Sequence, residues 1–282
     1  MKISYCFSTR NRGKLLDNSL LSLFRQDFDK NEYEIIVVDD YSTEDIYSIC
    51  KTYQGKMNIC YIRLEHNFGW RDCSTGINFA LRRAKGDVWA VSHPEVIISS
   101  QGLNILYGTH FEKYPIRFVG KPRDSQNLCI LFPTIWMEEN QEINRNDLVQ
   151  MAWREFLMNY SSGFRNNPDL KVGEGFSNFT CLSIKKENWE WLGGFYEFCS
   201  WGSVDPNLAG RRESARISDV VVDLPEALCF HQYHQFSKKK KIGMKQLESR
   251  PVREVCLPNL TKEHEEIMKQ EIVKEEYWSY HG

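Results

Sequence analysis

A short apolar strand that ends in two carboxylates constrains this chain more than any other feature of its sequence. Ile35 to Val38 are all β-branched, and Asp39-Asp40 follow them directly, before the turn residues Tyr41-Ser42. An apolar run bounded by a turn is typical of a parallel strand that is buried on both faces. Ligands of open α/β sheets bind beyond the carboxyl ends of such strands. The stretch therefore predicts an α/β sheet with an acidic site at its carboxyl edge.

The first hundred residues alternate between strand and helix patterns. Strands are predicted at Ile3–Phe7, Glu34–Val38, Cys60–Leu64 and Val88–Val91, with helices around residues 15–24, 42–50 and 75–84. Such repetition predicts a mostly parallel sheet with right-handed crossovers. The pattern changes in the second half, where residues 138–147 and 161–177 are predicted as loops and Thr261–Glu276 as a charged helix.

Composition limits the class of protein without deciding its function. The chain has 282 residues and a net charge of −2, so it can hold one large or two small domains and does not require a nucleic-acid partner. Its nine cysteines are scattered and form no CxxC pair, which is typical of reduced thiols in a cytosolic protein. We find no signal peptide and no apolar run near the ~20 residues that span a bilayer. The sequence therefore predicts a cytoplasmic protein without a transmembrane segment.

The amino-terminal third resembles the GT-A nucleotide-sugar domain of glycosyltransferase family 2. Ser8–Arg12 and Val37–Thr43 are similar to the family's opening, in which a polar loop and a Leu-rich helix precede a strand ending in VVDDxS. Asn67–Gly69 and Ala84–Asp87 are similar to its next block. The resemblance implies an α/β GT-A fold, a mostly parallel sheet flanked by helices. It implies a nucleotide-sugar-binding half at residues 1–115, an acceptor-binding half at 116–236 and a basic, helical tail at 237–282.

By this resemblance the donor is a nucleotide-diphosphate sugar of the UDP type. Asp39 would accept the N3–H of the base, because a carboxylate only accepts hydrogen bonds. The residues that the resemblance assigns to the donor are Thr9, Arg10, Asp39, Asp40, Arg71 and Ser92. The alternative is that the Asp-Asp-x-Ser segment simply caps the following helix.

The segment around Glu95 departs from the DxD pattern of the family. Polypeptide N-acetylgalactosaminyltransferases have Asp-Ser-His-Cys-Glu-Val here, and residues 91–96 resemble this pattern, with Val91 in place of the acid. That resemblance implies that His93 and Glu95 bind Mn²⁺ or Mg²⁺, with His231 as the third ligand and His234 as its alternate. Imidazole combined with carboxylate suits Mn²⁺ better than an all-oxygen Mg²⁺ site. The alternatives are a buried polar turn without a metal, and histidines that only serve the core.

The segment from Gly193 to Leu208 resembles the acceptor segment GGFDE…WGxEDxDL of galactosyl- and N-acetylgalactosaminyltransferases. Asp205 matches its second acid, the general base of inverting members, whereas Val204 replaces the first acid. Trp201 and Gly202 would bind the acceptor, since an indole packs on the apolar face of a sugar and glycine allows the backbone to approach. The alternative for Asp205 is an N-cap followed by Pro at the first helical position.

The resemblance implies a metal-dependent, inverting glycosyltransferase that moves a sugar from a nucleotide-sugar donor to an acceptor hydroxyl. We expect a saccharide or a lipid-linked glycan as the acceptor. The basic run Lys238–Lys241 leaves open a nucleic-acid acceptor, such as the hydroxylated DNA base that some viral enzymes glycosylate. Because Val91 and Val204 replace two acids, a catalytically weakened module that only binds nucleotide or glycan also stays open.

Overall fold

The computed structural model describes residues 1–64, 73–111, 113–139, 141–160, 180–196, 204–234 and 272–281. The strands in this part of the chain are β1 (Ile3–Thr9), β2 (Tyr33–Asp40), β3 (Asn58–Leu64), β4 (Val88–Ser92), β5 (Val96–Ile98), β6 (Arg117–Phe118), β7 (Leu128–Leu131), β8 (Thr134–Trp136), β9 (Cys181–Lys185), β10 (Ser218–Val221), β11 (Cys229–His231) and β12 (Ile272–Trp278). The α-helices are α1 (Gly13–Phe24), α2 (Ile46–Lys51), α3 (Cys73–Arg83), α4 (Gly102–Gly108), α5 (Arg145–Gln150), α6 (Trp153–Tyr160), α7 (Lys186–Leu192) and α8 (Val204–Ser214).

The strands form one large sheet and one small sheet. The large sheet has the order β12-β3-β2-β1-β4-β9-β7-β10-β6, and the small sheet has the order β5-β11-β8. Strands β3, β2, β1 and β4 are parallel to one another, and α1, α2 and α3 supply the crossovers between them. Beyond β4 the large sheet is mixed, because β9 runs antiparallel to both β4 and β7. The predicted parallel sheet is thus confirmed for the first four strands, where helical crossovers permit it.

Both faces of the large sheet are covered by apolar side chains. Along β2, Ile35 and Val37 belong to one hydrophobic cluster, whereas Ile36 and Val38 belong to another on the opposite face. Helix α1 packs into the first cluster and α3 into the second. This double burial explains why the strand is apolar at every position from Ile35 to Val38 instead of alternating with polar residues.

The described end of the chain is a strand, so the predicted helical tail is wrong for these residues. Strand β12 pairs antiparallel with β3 and forms one edge of the large sheet. Its exposure alternates from residue to residue, and Trp278 is buried at its end. Lys274 pairs with Glu276, and Glu275 pairs with Arg83. Charged side chains suggested a solvated helix, but they also suit an edge strand, because charges discourage pairing with another chain.

Two smaller features concern the helices of the described chain. Residues 145–147, predicted as loop, already belong to α5, and α5 and α6 are separate short helices. None of the helices in the described ranges has the length and apolar character that crossing a membrane requires.

Candidate functional site

The parallel strands bring several of the predicted site residues to one edge of the sheet. Thr9, the last residue of β1, is the register partner of Asp39 on β2, and Phe7 is the partner of Ser92 on β4. The turn that holds His93 and Glu95 follows β4 directly. Because these strands run in the same direction, their polar ends open to the same side of the sheet.

Asp39 is fully buried, and its carboxylate already has several partners. Its Oδ2 accepts hydrogen bonds from Tyr61 Oη at 2.8 Å and from Arg63 Nη1 at 2.6 Å, while its Oδ1 accepts from the Ser42 amide at 2.8 Å. Burial and the nearby Asp39 charge raise the pKa of Tyr61, so its hydroxyl stays protonated and donates. The Arg63 guanidinium compensates the buried charge. Tyr61 and Arg63 are therefore neighbours of the predicted nucleotide site that the sequence analysis missed.

The loops after β1 and β2 are tied together by Asn11. Its backbone amide donates to Ser42 Oγ at 2.9 Å, and its side-chain oxygen accepts from the Thr43 amide at 2.7 Å. Asn11 and Tyr41 both have left-handed backbones, with φ of 53° and 58°. Non-glycine residues adopt this conformation when surrounding contacts hold them there. The two loops that would face a nucleotide are thus held in a defined arrangement.

The other donor residues differ in their exposure. Thr9 is buried, Arg10 is exposed, and Arg10 Nη1 lies 3.9 Å from Asp40 Oδ2. Ser92 is buried and donates its hydroxyl hydrogen bond to the Thr180 carbonyl at 2.9 Å, which fastens β4 to the chain before β9. Arg71 lies outside the described residues, as do Trp201 and Gly202.

Three imidazoles surround the carboxylate of Glu95. Its Oε1 lies 3.9 Å from His93 Nδ1, 3.5 Å from His231 Nε2 and 3.3 Å from His234 Nε2. The ligand atoms of His93, Glu95 and His231 all lie within 4.8 Å of one another. Donor atoms about 2.1 Å from a common ion lie roughly 3–4 Å apart, so this spacing fits a shared cation. The structure brings the three predicted ligands together and places His234 beside them.

The hydrogen bonding of His231 favours a cation next to Glu95. His231 Nδ1 lies 2.9 Å from the Gln232 carbonyl oxygen, which can only accept, so Nδ1 carries the hydrogen. Burial lowers the pKa of His231 even though Glu95 opposes this, and the neutral ring turns the Nε2 lone pair toward Glu95. When Glu95 is ionised, its Oε1 faces this lone pair at 3.5 Å, and a divalent cation between the two atoms would remove the repulsion.

Gln232 holds the ligand loops against α1. It is buried, its Oε1 accepts from Asn18 Nδ2 at 2.8 Å, and its Nε2 donates to the carbonyls of Leu15 at 2.8 Å and Glu95 at 3.1 Å. Ser19 Oγ donates to the Pro94 carbonyl at 2.7 Å. The polar residues on the inner face of α1 thus orient the segment 93–95. Sequence reasoning missed them, although polar positions on an otherwise apolar helix face are a usable signal.

Trp136 lies against His231. It is the register partner of His231 across the parallel pair of β8 and β11, and the two ring centroids are 4.0 Å apart with an interplanar angle of 33°. The residue remains 48% exposed. No sequence pattern pointed to Trp136, because its place beside the histidine depends on the pairing of two distant strands.

The predicted acceptor segment is described only in part. Asp205 is the second residue of α8, and its side chain lies outside the described part of the chain. Val204 and Val91 are both buried in the second hydrophobic cluster. The two valines that replace acids of the resembling enzymes therefore serve the core.

The turn that follows α7 is held by Asn78 on α3. Asn78 Nδ2 donates to the Phe195 carbonyl at 2.9 Å, and Asn78 Oδ1 accepts from the Phe195 amide at 2.8 Å. Gly194 has a φ of 77°, and a Cβ there would meet Asn78 Oδ1 at 2.5 Å. Arg211 on α8 donates to the Leu192 and Gly194 carbonyls at 2.7 Å each. These contacts connect the helix that carries Asp205 to the donor half of the fold.

Comparison with known proteins relates the amino-terminal part of the chain to one family. Residues 4–108 match the model of "Glycosyl transferase family 2". The chondroitin synthase of Escherichia coli is 35% identical over 259 residues, which is 82% of this chain and 34% of that protein. The poly(ribitol-phosphate) beta-N-acetylglucosaminyltransferase TarS of Staphylococcus aureus is 39% identical over 87 residues, 31% of this chain and 15% of TarS. The chain thus spans about a third or less of the length of these relatives.

Solved structures show the same fold. A TarS structure in complex with UDP-GlcNAc aligns with a TM-score of 0.57 at 18% identity, over 88% of this chain and 65% of that chain. The mannosyltransferase PcManGT from Pyrobaculum calidifontis, in complex with GDP-Man and Mn²⁺, aligns with a TM-score of 0.54 at 14% identity, over 88% of this chain and 61% of that chain. The chain therefore has the GT-A fold of these structures, and its residues 4–108 match the model of glycosyl transferase family 2.

Proposed function

We propose that this protein is a metal-dependent, inverting glycosyltransferase that uses a UDP-sugar donor. The observation that carries the proposal is the group of His93, Glu95 and His231, which lies at the same sheet edge as Asp39. A nucleotide-diphosphate sugar needs a partner for its base and a cation for its diphosphate. The two clusters at neighbouring strand ends offer both.

The base would bind at the ends of β1 and β2. A carboxylate has about four acceptor positions, and three hydrogen bonds from the described residues reach that of Asp39, so one further position could accept from a base N–H. Thr9, Arg10 and Asp40 would line the ribose, and Ser92 and Arg71 would lie toward the diphosphate. TarS, which shares the fold and was solved in complex with UDP-GlcNAc, supports a UDP-type donor.

Glu95 and the histidines would hold the divalent ion, and Mn²⁺ suits their mixture of oxygen and nitrogen atoms. PcManGT, a structural neighbour, contains Mn²⁺. When bound, such an ion would stabilise the charge of the departing diphosphate as a Lewis acid. Gln232 would keep the segment that carries Glu95 in place, since groups that contact metal ligands set their orientation.

Asp205 would act as the general base for the acceptor hydroxyl. Its carboxylate would take the hydroxyl proton while the acceptor oxygen attacks the anomeric carbon and the bond to the diphosphate breaks, which inverts that carbon. The acceptor would be a saccharide or a lipid-linked glycan, with Trp201 and Gly202 as contacts. E. coli chondroitin synthase, a relative by sequence, supports a saccharide acceptor.

The metal site is tested with Glu95→Gln and calorimetric titrations of Mn²⁺ and of UDP in the presence of Mn²⁺. We expect the Mn²⁺ dissociation constant to rise about 10–100-fold, because the substitution removes the only carboxylate among the candidate ligands. Glu190→Gln is the matched control, since Glu190 is exposed and pairs only weakly with Lys186 at 3.8 Å. Unchanged Mn²⁺ affinity in Glu95→Gln would refute the metal assignment.

The base is tested with Asp205→Asn, using a screen of nucleotide sugars for hydrolysis and transfer. We expect kcat to fall about 10²–10⁴-fold while the affinity for UDP with Mn²⁺ is kept. Asp223→Asn is the control, because Asp223 is exposed and pairs with Arg117 at 2.9 Å. Full activity of Asp205→Asn would reject its role as base. If the unmodified protein binds UDP but turns over no donor, the result would favour the alternative of a catalytically weakened module that only binds nucleotide or glycan.

A further inference from the structure

The exposed face of Trp136 is the feature that the proposed reaction does not yet use. One side of the indole lies against the His231 imidazole at 4.0 Å, yet the residue is 48% exposed. The next residue, Met137, is buried, and its amide donates to the His231 carbonyl at 3.0 Å, so the backbone on both strands is held. A large aromatic side chain is thus fixed in place with part of its surface open to solvent beside the candidate metal ligands.

Polar residues follow both strands of this pair. Tyr233, two residues after His231, has its amide 3.3 Å from Met137 Sδ and donates its hydroxyl hydrogen bond to Glu139 Oε1 at 2.9 Å. The His234 ring centroid lies 5.4 Å from that of His231. A flat apolar surface in a polar neighbourhood matches a pyranose ring, which has one apolar face and a rim of hydroxyl groups.

We infer that Trp136 is a sugar-binding residue, whose outer face packs against a pyranose ring of the substrate next to the metal. This inference rests on the proposed function and adds a specificity-determining residue to it. The imidazole behind the indole reduces the entropy that is lost on binding, because a preorganised side chain has little freedom left to lose. The pyranose belongs either to the donor or to the acceptor, since both sugars must lie close to the diphosphate.

The position of Trp136 favours this role over a purely structural one. An indole that served only the core would be buried, as Trp189 is in the second hydrophobic cluster. Trp136 belongs to the small sheet, whose strands β5 and β11 lead directly from and to the metal ligands Glu95 and His231.

The test compares dissociation constants for UDP and UDP-GlcNAc, both with Mn²⁺, in the unmodified protein and in Trp136→Ala. If the indole packs on the donor sugar, the affinity for UDP-GlcNAc falls about tenfold, the effect of 1.4 kcal/mol, while the affinity for UDP is kept. If it packs on the acceptor, both of these constants stay the same, and the dissociation constant of an unsulfated chondroitin hexasaccharide, measured with Mn²⁺ and UDP present, rises by a similar factor. Trp136→Phe retains an aromatic face and restores most of the affinity.

Trp191→Ala is the matched control. Trp191 is 65% exposed and lies on α7, which follows β9 at the opposite end of β4 from the metal ligands. Equal loss of UDP and UDP-GlcNAc affinity in Trp136→Ala would assign only a structural role through His231 and overturn the inference. No change in any of the three constants would overturn it as well. If the unmodified protein fails to bind UDP with Mn²⁺, the proposed function itself fails, and this outcome is distinct from the other two.

Discussion

Gln232 offers the sharpest test of how the metal ligands are held. Its side-chain amide accepts from Asn18 Nδ2 at 2.8 Å and donates to the carbonyls of Leu15 at 2.8 Å and Glu95 at 3.1 Å. Gln232→Leu keeps a side chain of similar volume and removes these three contacts together with a longer one to Ser19 Oγ at 3.5 Å. The Glu95 carbonyl retains the backbone amide of residue 232, which donates to it at 3.0 Å. The main group left without a partner is therefore the buried amide of Asn18.

The size of the effect follows from these contacts. Three lost hydrogen bonds contribute about 2–3 kcal/mol in total, since each contributes roughly 1 kcal/mol net. The unsatisfied Asn18 amide adds about 1–2 kcal/mol, because a buried donor without an acceptor is not compensated for its lost hydration. We expect the free energy of unfolding to fall by about 3–5 kcal/mol. The Mn²⁺ dissociation constant should rise as well, about tenfold, because the Glu95 backbone loses one of its anchors.

Urea unfolding followed by circular dichroism measures this change. In the double variant Asn18→Leu/Gln232→Leu both polar partners are gone, so its loss of stability should be about 1–3 kcal/mol smaller than the sum of the two single losses. Gln54→Leu is the control, because Gln54 is exposed and its substitution should change stability by about 0.5 kcal/mol or less. Single losses that simply add would refute the argument that the two side chains depend on each other.

Three further predictions concern other parts of the fold, and urea unfolding checks each. Burial lowers the pKa of His110 to about 3, whereas its pKa in the unfolded chain is about 6.5. The contribution of the neutral ring to the free energy of unfolding is therefore complete above about pH 6.5 and falls by about 2 kcal/mol between pH 7 and pH 5. His110→Gln should flatten this pH dependence. Gly194→Ala should lower stability by about 2 kcal/mol or more, because of the left-handed φ of 77° and the close side chain, whereas Gly210→Ala, with open space in a helix, should raise it by about 1 kcal/mol. Trp278→Ala should cost about 3–5 kcal/mol and the exposed Val273→Ala about 0.5 kcal/mol, which would show that β12 is an integral strand.

The parallel core could be predicted from local patterns. The apolar runs of β1 to β4 and the helices between them are short-range features, and each appears in the sequence as a period or as a turn signal. The large sheet beyond β4 could not be predicted in the same way. Strand β9 pairs with both β4 and β7, and no local pattern specifies partners that are so distant along the chain.

The candidate site also contains residues that the sequence could indicate and residues that it could not. His93, Glu95 and His231 could be proposed from their residue types and from a resemblance, and the structure brings them together. Tyr61 and Arg63, which bind the Asp39 carboxylate, appear as ordinary members of a strand. Their role depends on the register between β2 and β3, because that register places Arg63 beside Asp39.

The end of the chain shows how composition misleads when partners are unknown. Lys274, Glu275 and Glu276 suggested the solvated face of a helix. In the structure they belong to an edge strand, where Glu276 accepts from the Tyr47 hydroxyl and Glu275 pairs with Arg83. The same charges suit an exposed helix and an edge strand. The choice between the two depends on β3, whose edge is available to pair with this segment.

By itself, the sequence determined the four parallel strands of the first hundred residues, and that acids and an imidazole follow their ends. These properties depend on neighbouring residues, and the apolar runs and the turn residues after them record them. Only the tertiary structure decided that Trp136 and Gln232 contact the metal-ligand cluster and that Val91 and Val204 are core residues. The physical reason is that contacts between distant strands depend on register and crossover, which are set by packing of the whole sheet.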